Sequence, residues 1–121
     1  MDEAYYHFVL AGRRESNGLR TIGPQHLVPL KARAWLDLSR RAEAGEKIDA
    51  GDIKKHKNDV FRLYQLLDAG SDPHAPESVK VDLRTFVDCM RMENVDLKAL
   101  KIAGGRSRDD ILDLLVGIYR L

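Results

Sequence analysis

Two apolar helical stripes with ionisable residues set inside them most constrain this fold. LVPLKARAWLDL carries Lys31, and IKKHKNDVFRLYQLL carries His56, Lys57 and Asp59. Burying an unpaired charge is costly, so a chain keeps one on a core-facing arc for a paired contact or for a ligand. At about 100° per residue, Leu27, Leu30, Ala34 and Leu38 define one face of the first segment, with Lys31 at its centre. Ile53, Val60, Leu63, Tyr64, Leu66 and Leu67 define a broad face of the second. His56 lies inside that arc, Asp59 sits between Leu63 and Leu66, and Lys57 is at the edge. The short connection between the two segments predicts an antiparallel pair, bringing Lys31 within reach of Asp59 or His56 across a buried polar seam.

Pro29 suits the first turn of the first long helix, which runs to about Ala44 and ends at Gly45. Asp49 is an N-cap for a helix from about Ala50 to Asp68, with Gly70 at its C-terminal end. SDPHAPES reads as a surface loop. A third helix, about Glu77 to Glu93, carries Val79, Leu83, Phe86, Val87 and Met90 at helical spacing. VDLKALKI is a short helical piece ending before Gly104-Gly105. Ser107 then caps a last helix, with Asp110 at the capping-box position and Ile111, Leu114, Leu115 and Ile118 as its stripe. At the N-terminus, AYYHFVL, the polar turn GRRESNG and LRTI fit either a hairpin or a short helix leading into one strand. The expectation is a mainly α, four-helix, bundle-like domain with a short N-terminal strand or hairpin, spanning 1–121 as one unit.

Composition narrows the function classes only loosely. Apolar content of 44% and charged content of 32% exclude a wholly disordered chain. The net charge of +1 gives no global reason to expect nucleic acid or an anionic membrane. The charge is uneven, however: 31–62 carries nine bases and six acids, whereas 63–121 carries eight bases and ten acids. A single cysteine, Cys89, excludes an internal disulfide and suits a cytoplasmic setting. MDEAYYHFVLAG puts acids where a signal peptide needs bases, and its apolar run is too short to span a bilayer, so no membrane partner is expected.

The polar group admits two accounts. One is an ion pair that sets the register of two helices while the Lys31 stem reaches toward solvent. The other is an anion site, in which Lys31 and the basic stretch Lys54, Lys55 and Lys57 face a cleft that takes phosphate and Asp59 orients the lysine.

The runs HLVPLKARAWLDLSRR and KIDAGDIKKHKNDVFRLYQLL resemble the C-terminal helical half of the abortive-infection AbiEii/AbiGii toxin-type nucleotidyltransferases, over about residues 19–70. In that family a lysine early in one helix is followed, one helix later, by an acid in a basic-Asp-x-x-acid-Leu setting. Lys31 matches the lysine and Asp59 the first acid; Asn58 stands where a base is usual, and Arg62 where a second acid is usual. The resemblance implies transfer of a nucleoside monophosphate from a triphosphate to an acceptor, with magnesium held by carboxylates. The candidate substrate-binding residues are Lys31, His56, Lys57, Asp59 and Arg62, of which the resemblance matches Lys31 and Asp59. The family's carboxylates follow a Gly-Ser segment and lie on neighbouring strands, whereas Gly70-Ser71 here leads to no strand.

The chain is therefore expected to be the substrate-binding or structural half of a larger nucleotidyltransferase-like protein. It should not be catalytic alone and should need no cofactor by itself; magnesium and nucleoside triphosphate belong to the full-length family. Its expected partners are a missing N-terminal catalytic portion or partner chain, a nucleotide phosphate, and a second copy through the apolar stretch Tyr5, Tyr6, Phe8, Val9, Leu19 and Ile22.

Rival readings are weaker on the residues. A helix-turn-helix module lacks a tight glycine turn and would bury its recognition face. Cys89 sits mid-helix beside Phe86 and Met90, as a small buried hydrophobe does. His7, His26 and His74 form no metal spacing. The rival from another class is a helical interaction module, antitoxin- or adaptor-like, with a structural ion pair. The coding sequence immediately upstream separates the two, because a Gly-Ser segment followed by acids belongs to the enzyme half.

Overall fold

At the N-terminus the chain forms a helix and then a hairpin. The computed structural model describes residues 3–16, 19–102 and 104–121. In it α1 (Glu3–Ala11) buries Tyr5, Phe8 and Val9, and the antiparallel strands β1 (Arg13–Ser16) and β2 (Leu19–Ile22) follow. Arg13 pairs with Ile22 and Ser16 with Leu19. The Asn17-Gly18 part of the expected polar turn, and the side chain of Leu19, lie outside the described residues. Gly12 joins α1 to the hairpin: its N–H donates to the Val9 carbonyl, and its own carbonyl accepts from Gly23. A Cβ at Gly12 would overlap the Cβ and Cγ of His26, whose ring lies 4.5 Å from that of Phe8, so the close approach needs glycine there. A stretch that once completed a larger sheet would leave an unpaired strand edge or an apolar patch. Tyr5, Phe8 and Val9 join the core and Ile22 packs against it, so they leave no patch, while Tyr6 stays exposed and the described sheet is the two-stranded hairpin alone.

The first long helix, α2 (Pro24–Glu43), begins five residues before Pro29. Pro24 occupies its first turn, where the missing N–H has no helical partner to lose, and Gly23 is the extended N-cap. Pro29 is thus inside the helix, where its ring removes the donor that the Gln25 carbonyl would receive. The chain replaces that donor from outside: the Tyr119 hydroxyl donates to the Gln25 carbonyl at 2.7 Å. The Tyr5 hydroxyl donates to the Pro29 carbonyl at 2.8 Å. One tyrosine from near each end of the chain therefore satisfies the irregular turn. After Glu43, Gly45 adopts the left-handed φ of 93° expected of the stop.

Asp49 caps α3 (Ala50–Leu63) by accepting from the Gly51 N–H at 2.7 Å. The helix tightens into a 3-10 turn at Tyr64–Leu66 instead of continuing to Asp68. A 3-10 turn has about three residues per turn, so helical projection fails past Leu63. Leu66, expected inside, is 68% exposed, whereas Phe61, absent from the expected face, is fully buried.

The remaining helices follow their patterns more closely. All five expected core residues of α4 (Glu77–Met90) are buried. In α5 (Arg108–Tyr119), Ser107 and Asp110 form the reciprocal capping box. The hydrogen bond from the Ser107 N–H holds the Asp110 carboxyl below its usual range. Ile111, Leu115 and Ile118 are buried as expected, together with Leu112 and Tyr119. VDLKALKI forms turns rather than helix: the Asp96 carboxylate accepts from the Ala99 N–H at 3.0 Å, and Lys101 takes a left-handed φ of 57°.

Among the described residues, all five α-helices contribute to one core, in a mainly α, bundle-like arrangement. α2 is its hub, packing on α1, α3 and α4. Trp35 of α2 meets Phe86 of α4 edge-on, with ring centroids 5.6 Å apart.

Candidate functional site

The helical hairpin of α2 and α3 brings an early residue of one helix to a late residue of the other. Lys31 Nζ lies 3.1 Å from Asp59 Oδ2, and Arg62, one turn along α3, has a guanidinium nitrogen 3.6 Å from Asp59 Oδ1. Each carboxylate oxygen thus faces a cation.

The seam is not buried as expected. Lys31 and Asp59 side chains keep 26% and 20% of their exposure, and no charged or polar residue among those described is fully buried. The reason is that α2 carries two apolar arcs. The core uses Val28, Ala32, Trp35 and Leu36, so Leu27, Leu30, Ala34 and Leu38 are only half-buried. Lys31 therefore sits at the rim of the packed arc, not at its centre. A partly solvated pair of this kind contributes little net stability, so Lys31→Met is expected to change the unfolding free energy by less than about 1 kcal/mol. Chemical denaturation checks this; a loss well beyond that range would mean that the pair holds the two helices together.

Lys57 does not join the seam. Its Nζ lies 3.3 Å from Glu93 Oε2 and 3.3 Å from the Asn94 carbonyl, beyond the end of α4. His56 does not enter the Lys31–Asp59–Arg62 contact; its Nδ1 is buried without a hydrogen-bond partner. Three of the five expected site residues thus meet, one is drawn to a different segment and one stands apart.

Between α3 and the segment after α4 lies a cleft of about 410 Å³, lined by Lys54, Lys57, Asn58, Arg62, Asn94 and Asp96. Ala99 and Leu100 form its apolar wall. Asn58, Asn94 and Asp96 have no place in the residue-by-residue site expectation. The i, i+3, i+4, i+8 spacing of 54, 57, 58 and 62 was a usable signal for one shared face. The docking of 91–101 against it had no local signature.

Nor do the residues present fit the magnesium site that the resemblance implies. Asp37 pairs with Arg41 at 3.7 Å, and Asp59 with Lys31 and Arg62. Among the described residues no three His, Cys, Asp or Glu side chains are grouped to hold a metal ion. Gly70-Ser71 is part of a turn: Asp68 accepts from the Gly70 N–H at 3.0 Å and from the Ser71 hydroxyl at 2.8 Å. Burial, with acidic Asp88 and Glu93 nearby, pushes the Cys89 thiol up, the opposite of an activated nucleophile. No helix among the described residues is long and apolar enough to cross a membrane. Comparison with protein-family models, with curated proteins and with solved structures gives no match to this chain.

Proposed function

We propose that this chain is the substrate-binding, non-catalytic helical part of a nucleotidyltransferase-like protein. In this reading α2 and α3 offer Lys31 and Arg62 to a nucleotide phosphate, and Asp59 orients both cations. The carboxylates that would hold magnesium come from another portion of the protein or from a partner chain. The observation that supports it is the Lys31–Asp59–Arg62 contact itself: the residues matching the family's lysine and first acid meet at a partly exposed rim. Lysine is suited to phosphate as a point charge, and a guanidinium adds directional donors.

The test is direct. The purified chain is incubated with magnesium, labelled nucleoside triphosphates and RNA or protein acceptors, and triphosphate binding is followed separately. The expected result is no transfer and weak binding of the order of millimolar, about 4 kcal/mol, that Lys31→Met weakens without unfolding the chain. Robust metal-dependent labelling lost on Asp59→Asn would make the chain a complete enzyme. Binding indifferent to Lys31→Met would leave the pair structural. It would favour a helical interaction module, a reading supported by the same contact, since Lys31 and Arg62 already pair with Asp59 from within.

A further inference from the structure

We propose that the cleft between α3 and the 91–101 segment is a second anion site, built for a phosphomonoester, whose lining includes neither Lys31 nor Asp59. It shares only Arg62 with the Lys31–Asp59 seam and does not depend on the nucleotidyltransferase reading. Lys54, Lys57, Asn58 and Arg62 come from one face of α3 and line the same cleft. Their donors are in different states of engagement, and that difference carries the argument.

Lys57 is the fixed member. Its side chain is only 11% exposed, and two acceptors, Glu93 and the Asn94 carbonyl, hold its ammonium. An ammonium has three N–H donors, so one remains. Because packing already orders the stem, a ligand meeting that third donor loses little side-chain entropy on binding. Lys54 is the available member, with no ion pair or hydrogen bond among the described residues. Arg62 is the adjustable member. Its contact with Asp59, at 3.6 Å, is longer than a good hydrogen bond. Asp59 keeps Lys31 at 3.1 Å if Arg62 turns toward the cleft. The side-chain amide of Asn58 adds a neutral donor.

The lining also limits repulsion. Its one acid, Asp96, is engaged with the Ala99 N–H at the start of its own turn. Glu93 does not line this cleft; it lines a neighbouring hollow with Trp35 and Ile53, which Lys54 and Lys57 also border. A tetrahedral phosphate presents three acceptor oxygens to three separate cationic donors, a match that a planar carboxylate lacks. Ala99 and Leu100 offer apolar surface to the organic part of an ester. The ligand chemistry is therefore a terminal phosphate on a small organic group, carried by a free metabolite or by the end of a nucleic-acid strand.

The test uses the full chain, isotopically labelled for NMR and titrated at constant ionic strength with inorganic phosphate, a nucleoside monophosphate and a 5′-phosphorylated oligonucleotide. The expected result is saturable shifts centred on Lys54, Lys57, Asn58, Arg62 and Asn94, with the monophosphate bound more tightly than inorganic phosphate. The double variant Lys54→Gln/Arg62→Gln replaces exposed side chains, so the rest of its spectrum should be unchanged, and it should bind at least about fivefold more weakly. Tighter binding of the oligonucleotide than of the monophosphate identifies a strand end as the source. Equal binding identifies the phosphomonoester itself. Shifts that fail to saturate, that chloride reproduces, or that survive the double variant while vanishing in Lys31→Met would overturn the proposal.

Discussion

Phe86→Ala is expected to lower the unfolding free energy by about 3–5 kcal/mol, the range for removing a buried aromatic and leaving a cavity. Phe86 is fully buried at the junction of α4 and α2, with the Trp35 ring edge-on against it. Its loss removes packing from the hub helix as well as from its own. Total stabilities of domains this size are about 5–15 kcal/mol, so the variant should be close to unfolding at physiological temperature. Phe86→Leu keeps most of the volume and should lose much less. Urea denaturation of the three proteins checks this through the midpoint at unchanged slope. A loss below about 1.5 kcal/mol for Phe86→Ala would mean that the α2–α4 contact is not the centre of the core.

Tyr119→Phe is the second large effect, expected at about 1–3 kcal/mol, because it leaves the Gln25 carbonyl inside α2 without its donor. The cause can be isolated with Pro29→Ala. An alanine at 29 restores the helical N–H to Gln25, so the same Tyr119→Phe change should then cost less than about 1 kcal/mol. Denaturation of the two single variants, the double variant and the parent gives this coupling. Equal penalties in both backgrounds would show that Tyr119 matters through its ring alone. Burial, with Tyr5 nearby, also pushes the Tyr119 hydroxyl up from its usual range. Its neutral form is favoured in the fold, so this contribution is present below the ordinary tyrosine range and declines as pH rises through and above it.

Much of the helical framework was legible from local chemistry. Asp49 and the Ser107–Asp110 box mark helix starts because their side chains satisfy end N–H groups whatever the rest of the chain does. The α4 stripe was equally readable, since Val79, Leu83, Phe86, Val87 and Met90 form its one strong apolar arc. Pro29 misled the reading of α2 because a proline is a start signal only where the lost bond has no replacement. Here the replacement comes from Tyr119, far away in sequence. The end of α3 was missed because an α-helical projection cannot anticipate a 3-10 turn.

The candidate site divides in the same way. That Lys31 should meet Asp59 or His56 followed from the inward slant of both segments and the short link between them; the structure brings it to Asp59 and leaves His56 apart. How deeply Lys31 and Asp59 meet depended on which apolar arc of α2 the core would choose. Leu27, Leu30, Ala34 and Leu38 are as apolar as the arc containing Val28, Trp35 and Leu36, and only packing against α4 and α3 separates them. The departure of Lys57 to Glu93 and Asn94 was likewise invisible, because it depends on where the segment after α4 returns.

By itself the sequence determined the helical class, most helix starts and the two candidate partners of Lys31, because periodicity, caps and short connections act over a few residues. Only the tertiary structure decided the depth of the seam, the tyrosine replacement at Pro29 and the cleft beside Lys57. Each of these depends on contacts between segments far apart in the chain, whose energies no local pattern encodes.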